Sequence, residues 1–89
     1  MRIMIPVWIE LIGVIAGLIG VIAWFPQIRR VWVEKKHDGI SLPTFGLVST
    51  SLVLWLFYGI FIQSIAMILA NIAALSCILA IIFGVLKLR

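Results

Sequence analysis

Charged side chains are rare in this chain, and the gaps between their clusters are the width of a membrane. No charged residue occurs from 11 to 28, from 42 to 62, or from 65 to 86. Each run is long enough for one helical crossing of the hydrocarbon layer, which takes about 20 apolar residues. The pattern predicts an all-α membrane protein of three helices over about 7–33, 42–62 and 65–86, in a single transmembrane domain, 1–89. The breaks between spans carry their own signals. Residues 29–39 are charged and end in Asp38-Gly39, a turn pair. Ser41 then offers a capping hydroxyl, and Pro43 falls in the first turn of the helix that follows. Between the second and third runs the only polar residues are Gln63 and Ser64, which predicts a tight helical hairpin.

Composition removes the alternative of a soluble fold. Of 89 residues, 65% are hydrophobic and 11% are charged, and the mean hydropathy is +1.33. A soluble domain this small has too little interior to hide so much apolar surface. The run from 11 to 28 is also too long for a signal-peptide core, and no small-x-small cleavage site follows it. The one cysteine, Cys77, lies in an apolar run and reads as a small buried hydrophobe.

The net charge of +4 would suggest nucleic acid in a soluble protein. Here the basic residues flank the spans, so they set topology instead. Arg29, Arg30, Lys35, Lys36, Lys87 and Arg89 share one side of the membrane, against Arg2 on the other. The positive-inside rule puts the first loop and the C-terminus in the cytoplasm and the N-terminus outside. Every copy then inserts in the same sense, so a dimer would be parallel, with its two-fold axis along the membrane normal. Trp8 and Trp32 suit the two interfacial belts. Glu10, in the first turns of the first span, reads as a snorkelling or vestibule carboxylate near the outer surface, with proton coupling as the alternative. His37 reads as solvated.

The membrane interior holds no Lys, Arg, Asp, Glu or His. Ion-coupled carriers usually keep such a group at depth, so the pattern points to facilitated diffusion of an uncharged solute. Among the polar groups within the spans, two stand out. Asn71 carries an amide whose unbonded burial would cost roughly 2–7 kcal/mol, and Trp55 carries an indole N–H that also wants a partner. Each is eight residues from Gln63, so both lie about 12 Å below the hairpin at a rise of ~1.5 Å per residue. On the second helix, Thr44, Val48, Ser51, Trp55, Tyr58 and Ile62 recur at spacings of four, three, four, three and four, forming one stripe. Such a stripe can line an aqueous path, with hydroxyls bonding a solute and the indole stacking on its C–H face, as a sugar requires. Helix–helix packing, with Ser51 bonded to backbone, is the alternative.

Small residues line two further faces: Gly13, Gly17 and Gly20 on the first helix, and Ala66, Ala70, Ala73, Cys77, Ala80 and Gly84 on the third. They predict close packing within the protomer, or else a dimer contact or sliding interface. Pro26-Gln27 lies late in the first span. The proline frees the carbonyl of Ile22 and predicts a bend near the cytoplasmic mouth, static or mobile. No metal-ligand cluster, phosphate loop or paired nucleophile and base stands at depth, so neither an enzyme nor a cofactor is expected.

Taken in order, four local signals resemble the bacterial SemiSWEET sugar transporters of the PQ-loop group. They are Phe25-Pro26-Gln27, Asp38-Gly39-Ile40-Ser41, Leu54-Trp55-Leu56-Phe57-Tyr58-Gly59 and Leu69-Ala70-Asn71. The resemblance covers nearly the whole chain and implies a helix order of one, three, two. It implies a half-transporter in the bacterial cell membrane that pairs with a second copy about an axis along the normal, the arrangement known for SWEET-type halves. Trp55 and Asn71 of both copies, with Ser51, would hold a mono- or disaccharide such as glucose or sucrose. Tyr58 and Val48 would act as gates, and Pro26 with Gln27 as a hinge for alternating access. Its alternatives are a non-transporting PQ-loop subunit or receptor, and a carrier of another small metabolite. The chain departs from the pattern before the third span. Many relatives have an acidic residue and a proline there, and this chain has Gln63-Ser64-Ile65-Ala66, so outer closure would rest on Tyr58 and apolar neighbours.

Overall fold

The computed structural model describes residues 5–88. It contains three helices, α1 (Val7–Trp32), α2 (Leu42–Phe61) and α3 (Ile65–Leu88). All three are long and apolar enough to cross a membrane. The Cα atoms span 47 × 21 × 15 Å, and the long dimension matches a bilayer with its headgroup layers, about 40–45 Å.

Helix α3 lies in the middle. It packs against both α1 and α2, whose backbones do not approach each other. The order is therefore α1, α3, α2, as the resemblance implied. The cause is visible in the side chains. The small face of α3 meets the small face of α1: a Cβ on Gly13 would lie 2.8 Å from the Cβ of Ala66, and one on Gly17 would lie 3.0 Å from that of Ala70. Packing within the protomer therefore accounts for Gly13 and Gly17, but not for Gly20, which has no neighbour within 4 Å. Helix α3 holds Asn71, Cys77, Ile78, Ile81, Gly84 and Val85 among its buried residues, whereas α1 buries Val31 and α2 buries Gly59.

The end of the bundle that bears residues 29–39 is the tightly packed one. Val31, Ile81 and Val85 form its core, surrounded by Trp24, Ile28, Ile40, Leu42, Phe45 and Leu88. Here Trp24 of α1 meets Phe45 of α2 edge to face, with ring centroids 5.9 Å apart. Trp32 is more than a belt residue. Its indole N–H donates to the carbonyl of Ala80 at 2.9 Å, an approach possible because Gly84, one turn further on, has no side chain. The ring also lies 5.8 Å from the Lys87 ammonium, within cation–π reach.

The connections follow ordinary capping chemistry. Ser41 Oγ accepts from the Thr44 N–H at 3.3 Å and donates to Thr44 Oγ1 at 2.9 Å, opening α2 as predicted. Gly39 takes a left-handed φ of +78° in the loop before it, the conformation its lack of a Cβ allows. At the α2–α3 hairpin, the N–H of Ser64 bonds the Gly59 carbonyl at 3.0 Å and the N–H of Gln63 bonds that of Ile60 at 3.1 Å. This double bond pattern ends helices with a left-handed residue, usually glycine. Here the residue is Gln63, with φ +59°, a conformation that costs a residue with a Cβ about 1 kcal/mol. Gln63→Gly is therefore expected to raise stability by about 0.5–1 kcal/mol, measured as a higher midpoint of thermal unfolding in detergent by circular dichroism.

Candidate functional site

At the hairpin end α1 and α2 stand apart on either side of α3 and bound a trough of about 650 Å³. Helix α3 forms its floor with Ala66, Met67, Ala70 and Asn71. Helix α1 forms one wall with Ile9, Glu10, Gly13, Ala16 and Gly17, and α2 forms the other with Trp55 and Ile62. Gly13 and Gly17 bring α1 against Ala66 and Ala70 of α3, and the trough lies beside that contact, facing α2. Its volume falls in the range of small-molecule sites, about 300–1,000 Å³.

Trp55 and Asn71 therefore face the same space, from adjacent helices. Asn71 is 9% exposed, and its Nδ2 donates to the Met67 carbonyl one turn back at 2.8 Å. Because that partner can only accept, the amide orientation is determined. The other N–H and the carbonyl oxygen of the side chain make no hydrogen bond among the described residues, which leaves one donor and one acceptor for a ligand in the trough. Trp55 is 51% exposed and presents a broad apolar face. Tyr58 stands edge-on to it, with ring centroids 5.5 Å apart and an interplanar angle of 90°.

The remaining residues singled out in the sequence are not all gathered here. Ser51 lies in a second groove with Leu54, Trp55 and Tyr58. Trp55 separates it from Asn71, so within one protomer Ser51 does not reach the trough. Val48 is an exposed position of the same α2 stripe, nearer the packed end. Pro26 is inside α1, which continues through it as one helix. It lines a groove with Ile22, Phe25, Arg29 and Glu34, well away from Asn71, and Gln27 beside it is exposed.

Glu10 has a role that sequence reasoning missed. It lines the trough, as the vestibule reading expected, but it is also bonded to another helix. Ser64 Oγ–H donates to its Oε1 at 2.6 Å, and the Ala66 N–H donates to its Oε2 at 2.8 Å. Ser64 Oγ in turn accepts from the Met67 N–H at 3.2 Å. The carboxylate thus caps α3 from another helix, satisfying first-turn donors that otherwise lack partners and complementing the helix dipole. The available signal was depth. Glu10 near the start of α1 and Ser64 just before α3 both sit at the hairpin end of the bundle, and only their azimuths were unknown.

Comparison with known proteins agrees with this architecture. The PQ-loop repeat family matches residues 8–64. The chain is 32% identical over 74 residues to the sugar transporter SemiSWEET of Leptospira biflexa, covering 83% of this chain and 87% of that protein. It is 35% identical over 84 residues to the sugar transporter SemiSWEET of Bradyrhizobium diazoefficiens, covering 94% and 95%. The fold matches the crystal structure of a bacterial homologue of SWEET transporters with a TM-score of 0.85, at 38% identity, over 90% of this chain and 96% of that one. With the repeat, the three membrane-spanning helices and near-complete overlap in length all in agreement, the chain belongs to the SemiSWEET family of multi-pass PQ-loop membrane proteins.

Proposed function

We propose that two copies of this chain, inserted in the same sense, pair about the membrane normal and carry small neutral sugars by facilitated diffusion. The observation that carries this reading is the open side of the trough. A protomer alone would leave the unbonded N–H and carbonyl oxygen of Asn71, on the trough floor, against hydrocarbon, where unpaired polar groups cost several kcal/mol each. A second copy facing it would close the trough into a water-filled path with two Trp55 rings and two Asn71 amides around its axis. Sugars suit that lining, since their C–H faces stack on indole and their hydroxyls pair with amide groups. The two similar proteins named as sugar transporters support the same substrate class.

Alternating access fits the shape of the protomer, which has the trough between α1 and α2 at the hairpin end and is packed around Val31, Ile81 and Val85 at the other. The basic residues 29–36 would lie in the cytoplasm, so the open end would face outward. Tyr58 and Val48 flank Trp55 along α2 and would gate its outer and inner sides, with Ser51 bonding a sugar that moves between them. Pro26 and Gln27 sit within the packed half of α1, where bending would open the inner mouth. The test is flux: purified protein in liposomes should equilibrate labelled glucose or sucrose in both directions without an ion gradient. A requirement for a proton or sodium gradient would refute the passive mechanism, and absence of any sugar movement would refute transport.

A further inference from the structure

We infer that Glu10 makes the trough charge-selective, favouring neutral and cationic sugars and rejecting anionic ones; this rests on the transport reading above. The carboxylate is pinned on the trough wall by its bonds to Ser64 Oγ at 2.6 Å and the Ala66 N–H at 2.8 Å. It shares the trough with Trp55 and Asn71. No Lys, Arg or His lines that space among the described residues. Among the described residues, the cation nearest to Glu10 along the chain is Arg29, nineteen positions on, which is about 28 Å at a rise of ~1.5 Å per residue. That is about three screening lengths at physiological salt.

The first turn of α3 offers a partial positive charge of about half a unit, so it steadies the carboxylate without cancelling it. The rest of the wall is largely apolar, with Ile9, Ile62, Ala66 and Met67 around the charge. Low-dielectric walls of this kind focus a field along the cleft. In a symmetric pair every solute would pass two such carboxylates. The bonds to Ser64 and Ala66 also cap α3, so a purely structural role for Glu10 must be separable by experiment.

Two sugars of opposite charge separate them. Proteoliposomes would be assayed at about pH 6.5, where glucosamine is largely protonated and glucuronate ionised, with the membrane potential clamped at zero. Each flux is read as a ratio to glucose within the same variant, so loss of total activity does not enter. Wild type should carry glucosamine in preference to glucuronate. In Glu10→Gln, whose amide can still accept from Ala66 and donate to Ser64, the glucuronate ratio should rise and the glucosamine ratio should fall. Each change should be on the order of tenfold, as for one unit charge about 10 Å away at an effective dielectric near 20. A loosened helix cap would move both ratios in the same direction. Ala16→Lys, which adds an opposite charge to the same wall, should mimic the shift and serves if Glu10→Gln does not fold. Ratios that stay fixed, or that move together, overturn the inference while leaving glucose transport standing. Absence of glucose flux in wild type overturns the transport reading, and this inference with it.

Discussion

Replacing Asn71 with Ala should reduce the initial rate of glucose entry into proteoliposomes by about a hundredfold to a thousandfold, with the protein still folded and paired. The side chain keeps one N–H on the Met67 carbonyl and offers its remaining N–H and its oxygen to the trough. A sugar hydroxyl that sheds water to enter needs both kinds of partner, and each buried polar group left unmatched costs about 1–3 kcal/mol. Two copies would double the loss on one sugar, and every ~1.4 kcal/mol is a tenfold change in rate. Trp55→Ala should match it by removing the stacking face, whereas Trp55→Phe should retain part of the flux because an aromatic plane remains. The check is labelled-sugar uptake at equal protein incorporation, with cross-linking to report the dimer. Undiminished transport in Asn71→Ala would remove the amide from the binding site.

Gly84→Ala should be the most damaging single-methyl change in the packed half of the molecule. A Cβ there would overlap Cγ1 of Val31 and sit 3.0 Å from Nε1 and 3.1 Å from Cε2 of Trp32. None of these can yield easily. Val31 is 1% exposed, between Ile81 at 0% and Val85 at 2%, and the Trp32 ring is held by its bond to the Ala80 carbonyl. Overpacking of this kind costs about 1–3 kcal/mol, and losing the indole bond adds about 1 kcal/mol. Gly20→Ala and Gly46→Ala are the controls. Nothing lies within 4 Å of either added methyl, and alanine improves helix propensity by up to about 1 kcal/mol. Unfolding by denaturant in mixed micelles should rank Gly84→Ala far below both controls. Equal stability of all three would mean that α1 does not cross α3 at Gly84.

The helices themselves were legible in advance. Hydropathy predicted spans over 7–33, 42–62 and 65–86, and the helices run Val7–Trp32, Leu42–Phe61 and Ile65–Leu88. The two extra residues of α3 reflect a helix that continues past the hydrocarbon layer into the headgroup region, where hydropathy no longer reports it. The common depth of Trp55 and Asn71 was also readable, because rise per residue is nearly constant along a helix. Whether they faced each other was not, since azimuth depends on which faces α3 turns to its two neighbours. The same ignorance grouped Ser51 with Asn71, although Trp55 stands between their two grooves. It also left Trp32 as an interfacial belt residue, because its bond to Ala80 joins positions 48 apart.

Local chemistry, then, is what the chain declares by itself: three lipid-soluble segments, their caps and turns, their depth markers, and a basic bias toward one end. Each of these depends on neighbours in sequence or on the solvent, and the bilayer supplies the solvent. The tertiary structure decided the rest. Contact between Gly13 and Ala66 and between Gly17 and Ala70 set α1 beside α3, opened the trough that α2 completes, and brought the carboxylate of Glu10 onto the first turn of α3. Those outcomes depend on how three cylinders rotate about their own axes; the small-residue stripes mark the faces that can approach closely, but which residues meet is fixed by packing between distant positions.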